Sequence, residues 1–303
     1  MKFRLPVFLL CLLLAGCFGS PHVVRLGTAP QGGIYYAFGT IFANQLRQDN
    51  MVLDVRVTSG SRDNLRLLKE NYIKTGIVQS DVLYEDREEN TKTPVYSAIA
   101  SLYSEAVHIV VRSESDIHSL QDLKGKIVAV GEEFSGTCAN ALLILETAGL
   151  SDRDMRIMYT NYDLASQDLM DKRIDAFFMT SGTPNNIVGD IAKNSEIRLI
   201  PIEASVLDQL EKTMPCYTRT VITKDTYPKM EEDIETICVT SVLLARNDLP
   251  EDTVYKITSR LVASRDLFSR RLKISFTPEA GKILSSISLP LHPGAAGYFR
   301  QNP

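Results

Sequence analysis

The sequence predicts an α/β protein of two lobes with a ligand crevice between them, and three observations carry that prediction. Short β-rich runs alternate with amphipathic stretches from Val23 to about Glu89, which is the grammar of βαβ units. The same order repeats from Ile127 to Met179. At both sets of strand ends, Gly, Ser and Thr turns open the next helix, and open α/β sheets hold their ligands beyond those strand ends.

The elements follow in order. Val23-Val24-Arg25-Leu26-Gly27 reads as a strand, and a helix opens near Gly33. Met51 to Thr58 is a second strand, Ser61 to Glu70 a helix, Gly76 to Gln79 a third strand and Ser80 to Glu89 another helix. A strand pair, Ala98 to Tyr103 and Val107 to Val111, precedes the second series. That series runs through strand Ile127 to Val130, helix Gly136 to Ala148, strand Arg156 to Tyr159, helix Asp163 to Lys172 and strand Asp175 to Met179. Helices at Pro184 to Lys193 and Ala204 to Lys212 flank a strand at Arg198 to Ile200. Strand runs resume at Val221 to Thr223 and Thr236 to Leu244, and one helix spans Glu251 to Leu267. The crossovers imply a largely parallel sheet in each lobe. No low-complexity linker divides the units, so the chain is expected to cross between lobes near 105 to 112 and to return near 214 to 224. Lobe I is then 17–111 plus 221–303, and lobe II is 112–220.

A length of 303 residues suits two ordinary domains or one large α/β unit. Hydrophobic residues at 44% and charged residues at 23% are globular proportions, which excludes a disordered tail, a collagen-like fibre and a coiled coil. With 33 Lys and Arg against 37 Asp and Glu, the formal charge is -4. No electrostatic footprint for nucleic acid exists, and none is expected as a partner.

Lys2 and Arg4 precede an apolar run, Leu5 to Ala15, too short to cross a bilayer core of about 30 Å as a helix. It reads as a bacterial signal peptide over residues 1–16. Leu14-Ala15-Gly16-Cys17 resembles a lipobox, where small residues admit a peptidase and the Cys17 thiol takes a diacylglyceryl group. Cleavage leaves 31 basic against 37 acidic side chains. The mature protein is expected to hang from an extracytoplasmic membrane face by its acyl chains, each buried CH₂ contributing roughly 0.8 kcal/mol.

Of the five cysteines, Cys11 leaves with the leader and Cys17 carries lipid. Cys138, Cys216 and Cys238 remain, which allows one disulfide in any of three pairings and one free thiol. The four histidines are scattered and no CxxC occurs, so no metal or cofactor is expected. There is no GxSxG elbow, Walker A loop, HExxH or GxGxxG, and no nucleophile-base pair to indicate an enzyme. The acidic runs Glu85 to Glu89 and Glu231 to Asp233 read as solvated helix ends or loops.

Three strand-turn-helix junctions are candidates for binding: Gln31 to Tyr36, Thr58 to Asn64, and Glu133 to Thr137. Each presents backbone N–H groups at a helix start, where the dipole favours an anion such as a carboxylate. Gly33, Gly60 and Gly136 allow close backbone approach, and Ser59, Ser61, Ser135 and Thr137 add hydroxyl donors. A Ser or Gly at such a place also serves as a plain N-cap. Tyr35 and Tyr36, adjacent on a helix, point about 100° apart, so one of them faces crevice or solvent. Gln79 can reach ligand from the third strand, and Asp81 reads as a cap. Thr180 ends the Phe177-Phe178-Met179 strand at a similar turn.

At these turns the chain resembles the TAXI family, the solute receptors of TRAP transporters. The resemblance runs through most of the mature chain. It rests on Gly32-Gly33-Ile34-Tyr35-Tyr36, on Ser59-Gly60-Ser61 with Asn64 to Leu68, and on Gly76-Ile77-Val78-Gln79-Ser80-Asp81. It continues through Asp122 to Gly131, Ser135-Gly136-Thr137, Ile174 to Phe178, and Leu291-His292-Pro293-Gly294-Ala295. The family implies a type II periplasmic-binding-protein-like clamp that closes on a small organic anion, glutamate- or dicarboxylate-like, for an ion-gradient-driven permease. Departures from its pattern are Ile34 where Thr is frequent, Ile73-Lys74 in place of an Ala-Asp turn, and Arg62-Asp63, which adds a cation beside the second turn. The resulting expectation is Ser61 and Thr137 donating from opposite lobes, with Arg62 as counter-charge. His292 is read as structural. A sensory or surface-interaction lipoprotein using the same clamp is the alternative function.

Overall fold

The computed structural model describes residues 22–89, 94–281, 284 and 286–302. The leader, the lipobox and Cys17 lie outside the described residues. Among the described residues, no helix is long and apolar enough to cross a membrane.

The first series forms as β1 (His22–Gly27), α1 (Ile34–Leu46), β2 (Met51–Arg56), α2 (Ser61–Lys69), β3 (Thr75–Gln79) and α3 (Ser80–Glu89). The second comprises β5 (Ile127–Ala129), α4 (Gly136–Thr147), β6 (Arg156–Met158), α5 (Tyr162–Met170), β7 (Ala176–Ser181), α6 (Asn186–Asn194), β8 (Ile197–Leu199), α7 (Ala204–Thr213) and β9 (Thr218–Ile222). Between and after them run two long strands, β4 (Tyr96–Arg112) and β10 (Ile234–Arg246), and the chain ends in α8 (Glu251–Ala263), α9 (Arg265–Leu272) and a last helix, α10 (Pro293–Gln301).

Among the described residues, ten strands join one sheet, ordered β2-β1-β3-β10-β4-β7-β5-β6, with β8 beside β4 and β9 beside β10. The sheet is mixed rather than largely parallel. β1 pairs in parallel with β2 and β3, and β5 with β6 and β7, but β10 and β4 insert between these halves as antiparallel strands. The expected strand pair at 98–111 is the single 17-residue strand β4. Its first half pairs with β10, and from Ala106 onward it pairs with β7. β4 and β10 thus thread both lobes. Leu102 is skipped in the β4–β10 register, a bulge of the kind that bends a strand and increases its twist.

The core is continuous across the lobes, since Leu68, Val78 and Leu83 share one buried cluster with Val128, Ile144 and Leu207 by way of β4 and β10, and two further clusters lie to either side. One apolar cluster gathers α1, β1, β2 and the C-terminal helices, where Phe38, Phe42, Phe268 and Phe276 pack ring to ring. Another joins α5, α6 and β7 with Ile222, Tyr227 and Ile234. The segment from 221 to 234, which the sequence reading grouped with lobe I, therefore packs with lobe II. β9 hydrogen-bonds to the N-terminal half of β10, and the return to lobe I is made along β10, where pairing with β3 begins at Ser241.

The expected helix 251–267 is two helices, broken at Ser264, whose backbone at φ -98° and ψ 6° leaves the helical range. Buried Val254, Ile257, Leu261, Phe268 and Leu272 keep a near-helical spacing across the break, so periodicity cannot reveal it. α10 had no counterpart in the sequence reading, although Pro293 stands at its first turn. His292 is buried, and its Nδ1 accepts from the Gly294 N–H at 3.2 Å, which is a structural capping role. Cys138, Cys216 and Cys238 are all free thiols, the first two buried.

Candidate functional site

The carboxyl ends of β1, β2 and β3 from lobe I face those of β5, β6 and β7 from lobe II, and a narrow cleft lies between them. Four helices begin on its walls. Their N-caps, Gly33 of α1, Gly60 of α2, Ser135 of α4 and Asn161 of α5, all line it. First-turn N–H groups have no acceptor within their own helix, and aligned peptide dipoles add about half a positive charge at each N-terminus. The walls are therefore rich in backbone donors.

Local sequence sets each start. Gly60 adopts φ +116°, a backbone that only glycine takes up without strain. Buried Asn64, in the first turn of α2, donates to the carbonyls of Thr28 at 2.7 Å and Ile77 at 2.8 Å, which ties the ends of β1 and β3 together. In lobe II the Ser135 hydroxyl accepts from the Cys138 N–H, and the Asn161 side chain from the Leu164 N–H, each at 3.0 Å. These are ordinary side-chain N-caps.

The clamp is closed. The Asp63 N–H of lobe I donates to the Phe134 carbonyl of lobe II at 3.2 Å. A Cβ on Gly136 would lie 1.9 Å from Gln79 Oε1 and 2.9 Å from Ser61 Oγ, so glycine is required for the lobes to come this near. The Ser59 hydroxyl meets the half-buried Glu132 carboxyl, whose pKa is raised by burial. Behind the cleft, Asn140 of α4 donates to the Asp81 carboxylate of α3 and accepts from the Thr180 hydroxyl at 2.8 Å. Asp81, expected as a cap, takes backbone N–H groups of its own first turn and also this contact from lobe II. Burial, with Glu85 nearby, pushes its pKa to about 7.

The floor is Glu105, on β4 where that strand passes from one lobe to the other. The residue is 3% exposed. Its carboxylate accepts from the hydroxyls of Tyr35 at 2.7 Å and Tyr103 at 3.3 Å, and from the Gln79 side chain. Burial outweighs these bonds and raises its pKa to about 8. The same burial and the facing carboxyl raise the Tyr35 and Tyr103 phenols.

Most of the expected residues meet here. Gly33, Tyr35, Ser59, Gly60, Ser61, Gln79, Ser135, Gly136, Thr137 and Thr180 all line the cleft. Two do not. Tyr36 is half-buried outside it, because a helix can turn only one of two adjacent side chains inward. Arg62 points down the outer side of α2, where it pairs with Glu85 at 2.8 Å and lines a separate groove with Arg66 and Lys69. It is no counter-charge to the cleft. The Ser61 and Thr137 hydroxyls face the cleft already bonded to protein. Ser61 Oγ accepts from the Gln79 N–H at 3.1 Å. Thr137 Oγ1 accepts from the Thr180 N–H at 3.1 Å and shares a hydrogen bond with the Tyr162 hydroxyl.

Sequence reasoning missed Glu105, Glu132, Asn161 and Tyr162. Glu105 carried a usable signal, a lone carboxylate between two apolar strand runs, since a charge is buried only where something offsets its desolvation. Asn161 precedes a helix pattern as a cap residue would. Among the described residues, no group of three His, Cys, Asp or Glu could hold a metal ion.

A family model described as the NMT1-like family matches residues 26–302. Among solved structures, the chain is similar to PhnD1 from Prochlorococcus marinus in complex with methylphosphonate, at 14% identity over 88% of this chain and 96% of that one, with a TM-score of 0.61. It is similar to the binding protein component of an ABC phosphonate transporter from Pseudomonas aeruginosa, at 11% identity over 86% and 82%, TM-score 0.56. The alkanesulfonate-binding protein SsuA from Xanthomonas axonopodis pv. citri bound to MOPS matches at 14% identity over 94% and 85%, TM-score 0.50. The fold is the two-lobed α/β fold of periplasmic binding proteins.

Proposed function

The chain belongs to the NMT1-like family, and from that premise we propose that it is an extracytoplasmic solute-binding receptor that closes its lobes on a small organic ligand and delivers it to a membrane permease. The observation that carries this reading is the convergence of four helix N-termini, drawn from both lobes, on one closed cleft. Such a site captures rather than reacts: a carboxylate is met by backbone N–H groups and dipoles, and the chain does no covalent chemistry on it. Closure supplies the signal, because a permease that prefers the closed surface is coupled to ligand by that difference in free energy.

In the finer reading, the ligand is a small organic anion of the glutamate type, the permease is ion-gradient-driven and of TRAP type, and a lipid on Cys17 holds the receptor at the membrane. The sequence resemblance and the lipobox support these three. A dicarboxylate is the weaker ligand choice, because among the described residues no Lys, Arg or His lines the cleft.

A thermal-shift screen of the purified protein against amino acids, keto acids and dicarboxylates tests the receptor reading. A ligand at one hundred times its dissociation constant stabilises by about 2.7 kcal/mol, a readily visible rise in Tm. The protein has no Trp, so dye or calorimetric detection is needed. A screen in which no small solute stabilises the fold contradicts the proposal.

A further inference from the structure

Behind the cleft, the lobes meet at one buried carboxylate. Asp81, in the first turn of α3, belongs to lobe I and has no exposed surface. Both side chains that bond it come from lobe II. Asn140 of α4 donates one amide hydrogen to Asp81 Oδ2 and the other to the Tyr217 hydroxyl at 3.0 Å, and that hydroxyl donates to the same Oδ2 at 3.4 Å. The Thr180 hydroxyl donates to Asn140 Oδ1 at 2.8 Å, which fixes the end of the amide that faces Asp81. Around this contact, Val82 and Leu83 of lobe I share one apolar cluster with Cys138, Ala141 and Tyr217 of lobe II. The carboxylate is therefore kept from water by lobe II.

Among the described residues, no cation offsets that burial. The titratable groups facing Asp81 are Glu85 one turn along α3, Glu105 on β4, and Cys216 and Tyr217 just before β9, none of them basic. Arg62 of α2 is engaged by Glu85 at 2.8 Å. Burial, helped by Glu85, raises the Asp81 pKa to about 7, whereas a hydrated carboxylate at a helix start sits near or below about 4. Glu105 depends less on lobe II, because its partners Tyr35, Tyr103 and Gln79 all belong to lobe I. We infer that Asp81 is a proton-operated latch of the clamp: protonated, it rests in the contact with Asn140 and Tyr217 and the lobes stay together; ionised, it draws water and the lobes part. The closed arrangement then holds one more proton than the open one. Closure is favoured fully below about pH 4, weakens as pH rises, and loses this support above about pH 7. The inference rests on the reading of the chain as a hinged clamp and adds a control to it.

Small-angle scattering of the purified protein, without added solute, from pH 5 to pH 8 tests this. The radius of gyration should rise across that range while far-UV circular dichroism stays constant, and the closed-to-open ratio should fall at least about tenfold. Asp81→Asn, a neutral side chain of the same shape, should stay compact at both ends. A wild-type radius independent of pH, a radius that falls as pH rises, or an unchanged pH response in Asp81→Asn overturns the inference. Should that variant fail to fold, Asn140→Ala, which removes the lobe II donor, should move the expansion to lower pH, and an unmoved expansion overturns it equally. L-Glutamate added at pH 8 separates the latch from the receptor reading beneath it. If L-glutamate compacts the protein and pH alone does not, the clamp stands and the latch fails. If neither changes the radius, the hinged clamp with glutamate as its ligand falls as well.

Discussion

The Tyr35 hydroxyl donates to Glu105 Oε2 at 2.7 Å and so joins the first turn of α1 to the strand that crosses between lobes. Neither residue is independently free to move. Tyr35 is 6% exposed and Glu105 is 3% exposed, and the carboxyl would be poorly solvated without its phenolic partners. Tyr103, two residues before Glu105 on the same face of β4, donates to the other oxygen. The site's floor is therefore preorganised by the strand that crosses between the lobes.

Tyr35→Phe should lower the unliganded melting temperature, because a buried carboxyl oxygen loses its partner at a cost of about 1 to 3 kcal/mol. Tyr36→Phe, at the half-buried neighbour outside the cleft, should leave both melting and affinity unchanged. Differential scanning calorimetry on the pair reads this, and equal effects would remove Tyr35 from the floor.

Ser61→Ala and Thr137→Ala should also destabilise the unliganded protein. Each hydroxyl accepts a buried backbone N–H, from Gln79 and from Thr180, and removal strands that donor at about 1 to 3 kcal/mol. If these side chains served ligand alone, affinity would fall while the unliganded melts stayed in place. Melting curves together with titrations distinguish the two roles.

Stability should depend on pH through Asp81 and Glu105. Their folded pKa values are raised by burial to about 7 and about 8, against about 4 in an unfolded chain. The folded state then binds more protons across that window, so their contribution is fully present below about pH 4, declines as pH rises, and is lost above about pH 8. Buried His108, with its pKa lowered to about 4 by desolvation, slopes the opposite way below about pH 6.5. The comparison must therefore be made between wild type and Asp81→Asn. Urea unfolding at pH 5 and pH 8 should show a smaller loss on going to pH 8 in the variant, and an identical loss would contradict the assignment.

Much of this architecture is legible in the sequence because βαβ periodicity and Gly/Ser/Thr turns are local signals. Gly60 and Gly136 could be picked out because the turn context demands glycine there. What stayed hidden is what only the third dimension supplies. Glu105 lies in the middle of one long strand that reads as two, and its role appears only when α1 lays Tyr35 over it. Arg62 follows Ser61 in sequence, yet the helix turns it to the outer face and Glu85. Residues 221–234 are rich in charge, but that does not say which lobe they join, and only pairing of β9 with β10 and the packing of Ile222, Tyr227 and Ile234 assign them to lobe II.

Hydrogen–deuterium exchange with and without a ligand that raises the melting temperature tests the central claim most directly, since it maps where the ligand sits. Added protection should appear at the starts of α1 and α2 in lobe I and of α4 and α5 in lobe II together, and along β4 around Glu105. Far-UV circular dichroism should barely change, because closure of folded lobes adds no helix. Protection confined to one lobe, or centred away from these four helix starts, would contradict the account.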